Sequence, residues 1–211
     1  MLIVVDSREQ CPFPFTHERY EAKTKQGALT VGDYSLAGLE DKVAVERKSL
    51  PDLVACLGRE RERFERELMR GAALDAFAVV VEADWLMLAR GEYRSQLKPH
   101  AACQSVLAFT ARYRVPFLFA GTRGAAEYMT WGFLRQYLES ARKRWRAIAK
   151  AQGDDAAYPP HGASVKCQAI KGEWICSRKT RLVSYRAAGS LPKPLTRPDS
   201  MTDLRRRCTR S

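Results

Sequence analysis

The order of short apolar runs and amphipathic segments constrains the fold of this chain more than any other feature of its sequence. Apolar runs at 2–6 and 75–83 predict buried strands, and the runs at 28–38 and 43–48 predict a hairpin. Helical signals follow at 49–58, 59–71, 100–113 and 122–150, and one further short strand is predicted at 115–121. Strands that come first in hairpins and then alternate with helices predict an α/β domain with a mixed central sheet flanked by helices.

Composition changes near residue 150, where we place the end of this domain. Residues 151–211 contain Pro/Gly/Ser-rich stretches such as AQGDDAAYPPHG and SLPKPLTRPDS, without a sustained hydrophobic period. A segment of this kind has too few regularly spaced apolar residues to form a core of its own. The sequence therefore predicts a domain at 1–150 followed by a basic, largely disordered C-terminal tail at 151–211.

The charge of the chain indicates a polyanionic partner. The net charge is +12. Residues 1–150 hold 24 Lys and Arg against 19 Asp and Glu, while residues 151–211 hold 12 against 5. Because neutralised phosphates release counterions, a basic protein of this kind is suited to nucleic acid.

The sequence lacks the patterns that mark membrane-spanning, secreted and zinc-binding proteins. No apolar run reaches the roughly 20 residues of a membrane span, and the N-terminal MLIVV is too short, and too soon followed by charges, for a secretion signal. The six cysteines and three histidines are scattered, without the spacing of a zinc site. We therefore expect an intracellular protein with reduced thiols.

Charged residues end three of the predicted strands. Asp6 ends the first, Asp33 follows a glycine in the second, and the third ends in Glu46, Arg47 and Lys48. Because side chains alternate along a strand, Glu46 and Lys48 share one face and Arg47 takes the other. Carboxylates beside a lysine suit metal-dependent phosphodiester hydrolysis, with Mg²⁺ or Mn²⁺ held by oxygen ligands. The alternative is that each is a solvated charge at a strand end.

A longer motif resembles a known family. The stretches VVDSREQ, GDY, VERKSLPDL and RERFERELMR occur in the order found in the nuclease domain of the XPF family, the excision-repair cross-complementation group 4 type. The signature of that family is G-D, a variable gap and E-R-K-x-x-x-D, and the similarity extends over roughly residues 2–150. The resemblance implies a restriction-endonuclease-like core and a DNA endonuclease.

The resemblance also implies roles for individual residues. Asp33 and Glu46 would be metal ligands, Lys48 the catalytic amine, and Asp6 a further acid of the site that reaches a second or water-mediated metal position. Four residues match motif positions without a defined role: Arg8, Glu9, Arg47 and Asp52. For Arg47 we expect an anchoring contact with the helix that carries Asp52.

Three arginines of the charged helix at 59–71 are candidate contacts for DNA phosphates: Arg61, Arg63 and Arg66. A solvated helix face explains them equally well. Members of the family dimerise through the nuclease domain, and the helix at 122–150 is a candidate surface for a homodimer. Its apolar stripe of Leu134, Leu138, Ala141, Trp145 and Ile148 alternatively belongs to the core.

The chain also departs from the family pattern. The paired G-x-G turns of a tandem helix-hairpin-helix domain do not follow residue 150, and there is no room for a helicase domain upstream. The chain is therefore similar to a stand-alone bacterial or phage form of the nuclease. We expect it in the cytoplasm, associated with the nucleoid, and not at a membrane.

The function predicted from sequence is a Mg²⁺- or Mn²⁺-dependent DNA endonuclease. The family implies a branched or flap-containing DNA substrate, in repair or recombination. Two alternatives remain open at this point: a non-catalytic DNA-binding module of the same fold, and a nuclease with a different substrate preference in recombination or restriction.

Overall fold

The computed structural model describes residues 1–153 and the backbone of three strands between 166 and 185. The chain divides into two compact units, Met1–Trp145 and Arg146–Ser211. The elements up to residue 151 are β1 (Leu2–Asp6), β2 (Lys23–Gly27), β3 (Tyr34–Leu36), β4 (Val43–Lys48), α1 (Leu50–Leu57), α2 (Arg61–Ala72), β5 (Ala76–Val81), α3 (Trp85–Arg90), α4 (Pro99–Tyr113), β6 (Phe117–Phe119) and α5 (Arg123–Ala151).

Beyond residue 153 the described residues form a separate antiparallel sheet. Its strands are β7 (Lys166–Ile170), β8 (Glu173–Arg178) and β9 (Arg181–Tyr185). The sequence did not predict these strands, because no sustained period marks them. The remainder of the predicted tail lies outside the described residues, so its disorder and the boundary at residue 150 stay predictions.

The sheet of the first unit has six strands in the order β2-β1-β3-β4-β5-β6. β3 pairs antiparallel with both β1 and β4. The pairs β2–β1, β4–β5 and β5–β6 are parallel. Only β3 is therefore reversed, which confirms the mixed sheet of an α/β fold. Because of this topology, the ends of β1, β4 and β5 and the start of β3 lie at one edge of the sheet.

Two hydrophobic cores form on opposite faces of this sheet, and β4 contributes to both. Ala44 belongs to the core on the face covered by α1, α2 and α4, whereas Val43 and Val45 belong to the core under α5. The period of two in β4 is thus visible in its packing. The helices contribute buried side chains to both cores, with Phe64 of α2 in the first and Leu134 of α5 in the second.

Two elements were missed by the sequence analysis, and one strand is shorter than predicted. β2 has the polar sequence KTKQG and lies exposed at the sheet edge, so it carries no apolar signal. The six-residue helix α3 was also not predicted. Within the predicted strand at 28–38 only Tyr34–Leu36 is regular, because the chain turns at Gly32.

The first helix begins and ends as the sequence predicted. Ser49 is its N-cap and accepts a hydrogen bond from the Asp52 amide, Pro51 lies in the first turn, and Gly58 is the C-cap. Across the part of the chain that the structure describes, no helix combines the length and the apolar character needed to cross a bilayer.

Candidate active site

An open pocket of about 530 Å³ lies at the edge where the ends of β1 and β4 meet the start of β3. Sequence motif residues and residues of the α1–α2 turn line it together. They include Arg8, Glu9, Asp33, Glu46, Arg47, Lys48, Asp52, Arg59 and Arg63. Most residues singled out from the sequence are therefore brought to one place by the topology of the sheet.

Glu46 and Lys48 lie side by side in this pocket, as their spacing on β4 predicted. The Lys48 ammonium donates a short hydrogen bond to Oε1 of Glu46 and lies 4.0 Å from Oε2 of Glu67. Its Nζ is also 5.6 Å from the centre of the Phe64 ring. Burial lowers the pKa of Lys48, but the two carboxylates outweigh burial and leave that pKa above its ordinary value. Lys48 is therefore an ammonium at neutral pH.

Asp33 reaches the pocket because Gly32 lets the chain turn immediately before it. Gly32 has a φ of +77°, and a Cβ there would come within 3.0 Å of the Val45 carbonyl oxygen. Oδ2 of Asp33 accepts a hydrogen bond of 2.7 Å from the Arg47 amide. The turn and this bond fix the Asp33 carboxylate beside β4.

The surroundings of the Asp33 and Glu46 carboxylates disfavour their negative charge, which a bound cation would stabilise. Burial raises the pKa of Asp33 to about 6. Burial and the nearby charge of Asp33 together raise the pKa of Glu46 well above its ordinary value. Two acids that are costly to ionise together are the arrangement that a bound cation would stabilise.

Asp33 and Glu46 fit a hard divalent cation such as Mg²⁺, which takes oxygen ligands and often binds through only one or two carboxylates. In the described residues no group of three His, Cys, Asp or Glu side chains is placed to hold a metal ion. Any further ligand positions would therefore fall to water and to phosphate oxygens of a substrate.

Asp6 is bonded to Asp33 through the backbone, since its amide donates a 2.8 Å hydrogen bond to the Asp33 carbonyl oxygen. Its carboxylate is engaged within the fold, and its part in a metal site stays a prediction. Its carboxylate accepts bonds from the Arg8 amide at 2.8 Å and from the Arg8 guanidinium at 2.8 and 2.9 Å, and a 2.8 Å bond from the Leu29 amide. The Arg8 side chain holds the pKa of Asp6 down to about 2. Asp6 is buried outside the pocket lining, so the geometry favours a structural role that ties Leu29 to the end of β1.

Arg47 points away from Lys48 but makes a different contact from the one predicted. Its guanidinium donates two hydrogen bonds to Glu9, at 3.0 and 3.1 Å, and one of 3.1 Å to Glu82. Arg123 donates a 2.8 Å bond to the same Glu82 oxygen. The expected anchor to the helix carrying Asp52 is wrong: Arg47 joins β4 to the segment after β1 and to the end of β5.

Asp52 has a local role at the start of α1. Its Oδ2 accepts a 2.6 Å hydrogen bond from the Ser49 hydroxyl, and its amide donates to that hydroxyl oxygen at 3.3 Å. This reciprocal capping fixes the first turn of α1 directly after Lys48. The motif spacing from Lys48 to Asp52 is therefore explained by the strand-to-helix connection.

The three candidate DNA-binding arginines of α2 have different surroundings. Arg61 is engaged within the fold, with Glu65 at 3.0 Å, Ser105 at 3.0 Å and the centre of the Phe109 ring at 4.5 Å. Arg63 is exposed, pairs with Glu60 and lines the pocket. Arg66 is exposed. Contacts of Arg63 and Arg66 with DNA stay predictions, whereas the surroundings of Arg61 favour a structural role.

Sequence reasoning missed three residues of this edge: Glu67, Glu82 and Arg123. Glu67 faces Lys48 from α2, and Glu82 and Arg123 complete the surroundings of Arg47. The position of Glu82 directly after the apolar run of β5 was a usable signal, since the carboxyl ends of parallel strands share an edge. Glu67 and Arg123 depend on helix packing, which no local pattern reveals.

The chain matches a known protein family and solved structures. The model of the ERCC4 domain matches residues 5–130. Comparison with curated protein sequences gave no match. The chain is similar to the solved structure of XPF from Aeropyrum pernix, at 19% identity and a TM-score of 0.53, over 72% of this chain and 73% of that one.

A second solved structure, XPF from Aeropyrum pernix in complex with DNA, matches at 20% identity and a TM-score of 0.53. That match covers 66% of each chain. At these identities the two structures establish the restriction-endonuclease-like α/β fold. The match to the family model extends over more than half of the chain, and the chain belongs to the ERCC4 domain family, a family of DNA nucleases.

Proposed function

We propose that this protein is a metal-dependent endodeoxyribonuclease that hydrolyses phosphodiester bonds with Mg²⁺ or Mn²⁺ as its cofactor. One observation carries the proposal: Asp33, Glu46 and Lys48 line a single open pocket at one edge of the sheet. The raised pKa values of the two acids support it, since burial of both carboxyls and the charge of Asp33 beside Glu46 disfavour ionisation that a bound cation would stabilise. Family membership supports the nuclease activity itself.

The side chains of the pocket have distinct roles in this proposal. Asp33 and Glu46 would hold the cation through their oxygens. A bound divalent cation supplies Lewis acidity, which polarises the phosphoryl oxygen and lowers the pKa of water. Lys48 stays protonated, so it acts as a donor that orients the attacking water and stabilises negative charge developing on the phosphate. Attack occurs in line with the leaving oxygen, without a covalent enzyme intermediate.

Cationic side chains at the mouth of the pocket would position the DNA backbone. The Arg8 side chain is 75% exposed and that of Arg59 80% exposed, and both line the pocket together with Arg63. Guanidinium groups suit phosphate through their fixed fork of donors. The solved relative in complex with DNA supports DNA as the partner.

We propose branched or flap-containing DNA as the substrate, in repair or recombination, and a cytoplasmic, nucleoid-associated location. A homodimer through the nuclease domain is part of the same proposal. A non-catalytic DNA-binding module is disfavoured, because the signature acids Asp33 and Glu46 and the amine Lys48 are all present and face one pocket.

Cleavage of flap, fork, four-way and linear duplex DNA, compared side by side in Mg²⁺, Mn²⁺ and EDTA, tests this proposal. We expect internal cuts in flap or fork DNA with Mg²⁺ or Mn²⁺ and none with EDTA. Preferential cutting of linear duplex or four-way DNA would indicate the restriction or recombination alternative. Cutting in EDTA would contradict the metal requirement, and binding without cutting in any metal would indicate a non-catalytic module.

A further inference from the structure

A cluster of aromatic rings lies on the opposite face of the sheet from Glu46 and Lys48, where the loop before β2 meets α5. The aromatic patch comprises His17, Tyr20, Tyr128 and Trp131. His17 and Tyr20 stack with parallel planes at 4.5 Å between ring centres, and Tyr128 and Trp131 stack at 6.1 Å with planes 23° apart. Tyr20 joins the two pairs, with its ring centre 5.4 Å from that of Tyr128.

The patch is exposed but firmly supported. Tyr128 is 54% exposed and His17 is exposed, whereas Tyr20 is buried beneath them. The loop is held by a hydrogen bond from the Phe15 amide to the buried Glu127 carboxylate. Trp131 is half-buried and packs against the core, so Tyr128 and His17 present the exposed rings of the patch. Large exposed rings on a supported surface are characteristic of a binding surface.

Positive charge flanks these rings. The Arg135 guanidinium lies 5.0 Å from the centre of the Trp131 ring, and the exposed Arg19 follows His17 in the loop. The same loop carries the exposed acids Glu18 and Glu21, so the patch is not a broad basic surface. Stacking therefore provides most of the attraction here, with local assistance from two guanidinium groups.

The patch is connected to the catalytic edge by α5. This helix begins at Arg123, which binds Glu82 beside Arg47. Tyr128 and Trp131 follow by five and eight residues, or about 7.5 and 12 Å along a helix axis. At the ~3.4 Å spacing of stacked nucleotides, 12 Å corresponds to about three or four nucleotides.

We propose that the aromatic patch is a stacking site for unpaired bases, which holds a single-stranded arm of the DNA near the catalytic edge. Aromatic faces with an adjacent arginine are how proteins bind single-stranded nucleic acid without sequence preference. Duplex DNA offers no unpaired bases to stack, so the patch selects substrates with a single-stranded arm. The inference rests on the proposed function, since it takes DNA to be the substrate.

Binding of a fluorescent oligothymidylate to the full chain in EDTA tests this site without cleavage. Alanine at a base-stacking ring weakens single-strand binding by about tenfold. We expect this loss for Tyr128→Ala, with the salt dependence of binding and the affinity for blunt duplex unchanged. Tyr128→Phe keeps the ring and should bind as wild type. Leu107→Ala, which removes a similarly exposed apolar side chain from α4 outside the patch, should also bind as wild type.

Unchanged oligothymidylate binding by Tyr128→Ala would overturn the proposal, as would equal losses for single-stranded and duplex DNA. A wild-type dimer that Tyr128→Ala converts to a monomer in sedimentation would instead identify the patch as an interface between copies. Photo-crosslinking of the wild-type chain to an oligonucleotide carrying 5-iododeoxyuridine avoids any folding defect of a variant. We expect crosslinks at Tyr128 or Trp131, and their absence would contradict the proposal.

These outcomes are separable from those of the proposed function. A chain that cuts flap DNA but binds oligothymidylate independently of Tyr128 retains the nuclease proposal and loses the stacking site. A chain that crosslinks at the patch but cuts no DNA retains the stacking site and loses the nuclease proposal.

Discussion

At the scale of single residues, side chains that alternate along β4 have two kinds of role, proposed catalysis and structural support. The side chains of Glu46 and Lys48 pair on one side of the strand, and the Arg47 guanidinium binds Glu9 and Glu82 on the other side, although Arg47 and Glu9 also border the pocket. All three side chains are mostly buried. Glu46 and Lys48 are proposed to act in phosphodiester hydrolysis, whereas Arg47 connects three segments of the chain. The two kinds of role should therefore respond differently to the same substitution.

Replacing Lys48 with alanine should lower the single-turnover cleavage rate by about 10²–10³, the usual cost of one preorganised donor. Cation affinity by calorimetry should stay level or rise, because an ammonium opposes a nearby cation. Lys48→Arg should not restore the rate, since a planar fork cannot replace a compact charge. Arg47→Ala should instead lower the melting temperature more, because it leaves Glu9 and Glu82 without their shared partner. A stable but inactive Arg47→Ala would invert the assignment of the two faces.

Glu67 should act as a positioning residue for Lys48. When Glu46 is occupied with a cation, Glu67 is the carboxylate left to hold the ammonium in place. Glu67→Gln should lower the single-turnover rate by about tenfold, the usual range for a group that orients a catalytic one, with DNA affinity unchanged. Glu62→Gln, exposed on the same helix, provides the control. Equal rates for both variants would exclude the role.

Burial of Asp33 should make the metal-free protein less stable as pH rises. The folded-state pKa of about 6 exceeds the ordinary 3.8, so the folded state holds the extra proton between these values. Stability from this group is present below pH ~4 and is lost as pH rises through ~6. Asp33→Asn, whose amide oxygen can still accept the Arg47 amide, should be more stable than wild type by about 2 kcal/mol at pH 7.5 in EDTA. Denaturant unfolding measures this, and a less stable variant would contradict it.

At the scale of elements, the helices of one face fit closely against the sheet, and α2 is the clearest case. Gly71 of α2 lies against Phe77 of β5, where an added Cβ would come within 2.2 Å of the ring. Helix propensity favours alanine there by about 1 kcal/mol, but overpacking a core typically costs about 1–3 kcal/mol. Packing should therefore outweigh propensity at this position.

Gly71→Ala should accordingly destabilise the protein by up to about 2 kcal/mol in denaturant unfolding. Gly132→Ala on α5 is the matched control, because nothing lies within 4 Å of its added Cβ. That variant should gain up to about 1 kcal/mol from helix propensity alone. A Gly71→Ala protein as stable as Gly132→Ala would mean that α2 is not packed as closely as described.

Much of the element order followed from the sequence because buried strands and amphipathic helices leave periodic apolar signals. β1, β4 and β5 are apolar runs, and Ser49 marks the start of α1 by its capping chemistry. β2 left no signal, because it is stabilised by pairing with β1 and buries almost nothing of its own. Local pattern therefore identifies elements that bury a face, and misses an edge strand that does not.

In the candidate site, likewise, some residues could be predicted from the sequence and others could not. Asp33, Glu46 and Lys48 were predictable because each ends or begins a strand at a shared sheet edge. The engagement of Asp6 was not, because it depends on Arg8 folding back and on the Leu29 amide arriving from a distant turn. Glu67 and Arg123 likewise depend on where α2 and α5 pack, which is decided by the tertiary structure.

At the scale of the whole molecule, the reversal of β3 alone within a six-stranded sheet explains why a functional site can form here. It brings the residue before β3 to the same edge as the last residues of β4. The chain as a whole adds a net charge of +12, which suits a polyanion and favours rapid association. DNA affinity should therefore come from the basic surface and cleavage from the acids, so that the two can be separated.

Glu46→Gln, assayed together with Asp33→Asn, tests this separation most directly. The measurement is cleavage of flap DNA in Mg²⁺, paired with the binding constant of the same DNA in EDTA. We expect both variants to lose cleavage while their binding constants stay close to wild type, because each removes a ligand charge and leaves the basic surface intact. Cleavage by either variant at near wild-type rate in Mg²⁺ would contradict the proposed metal site.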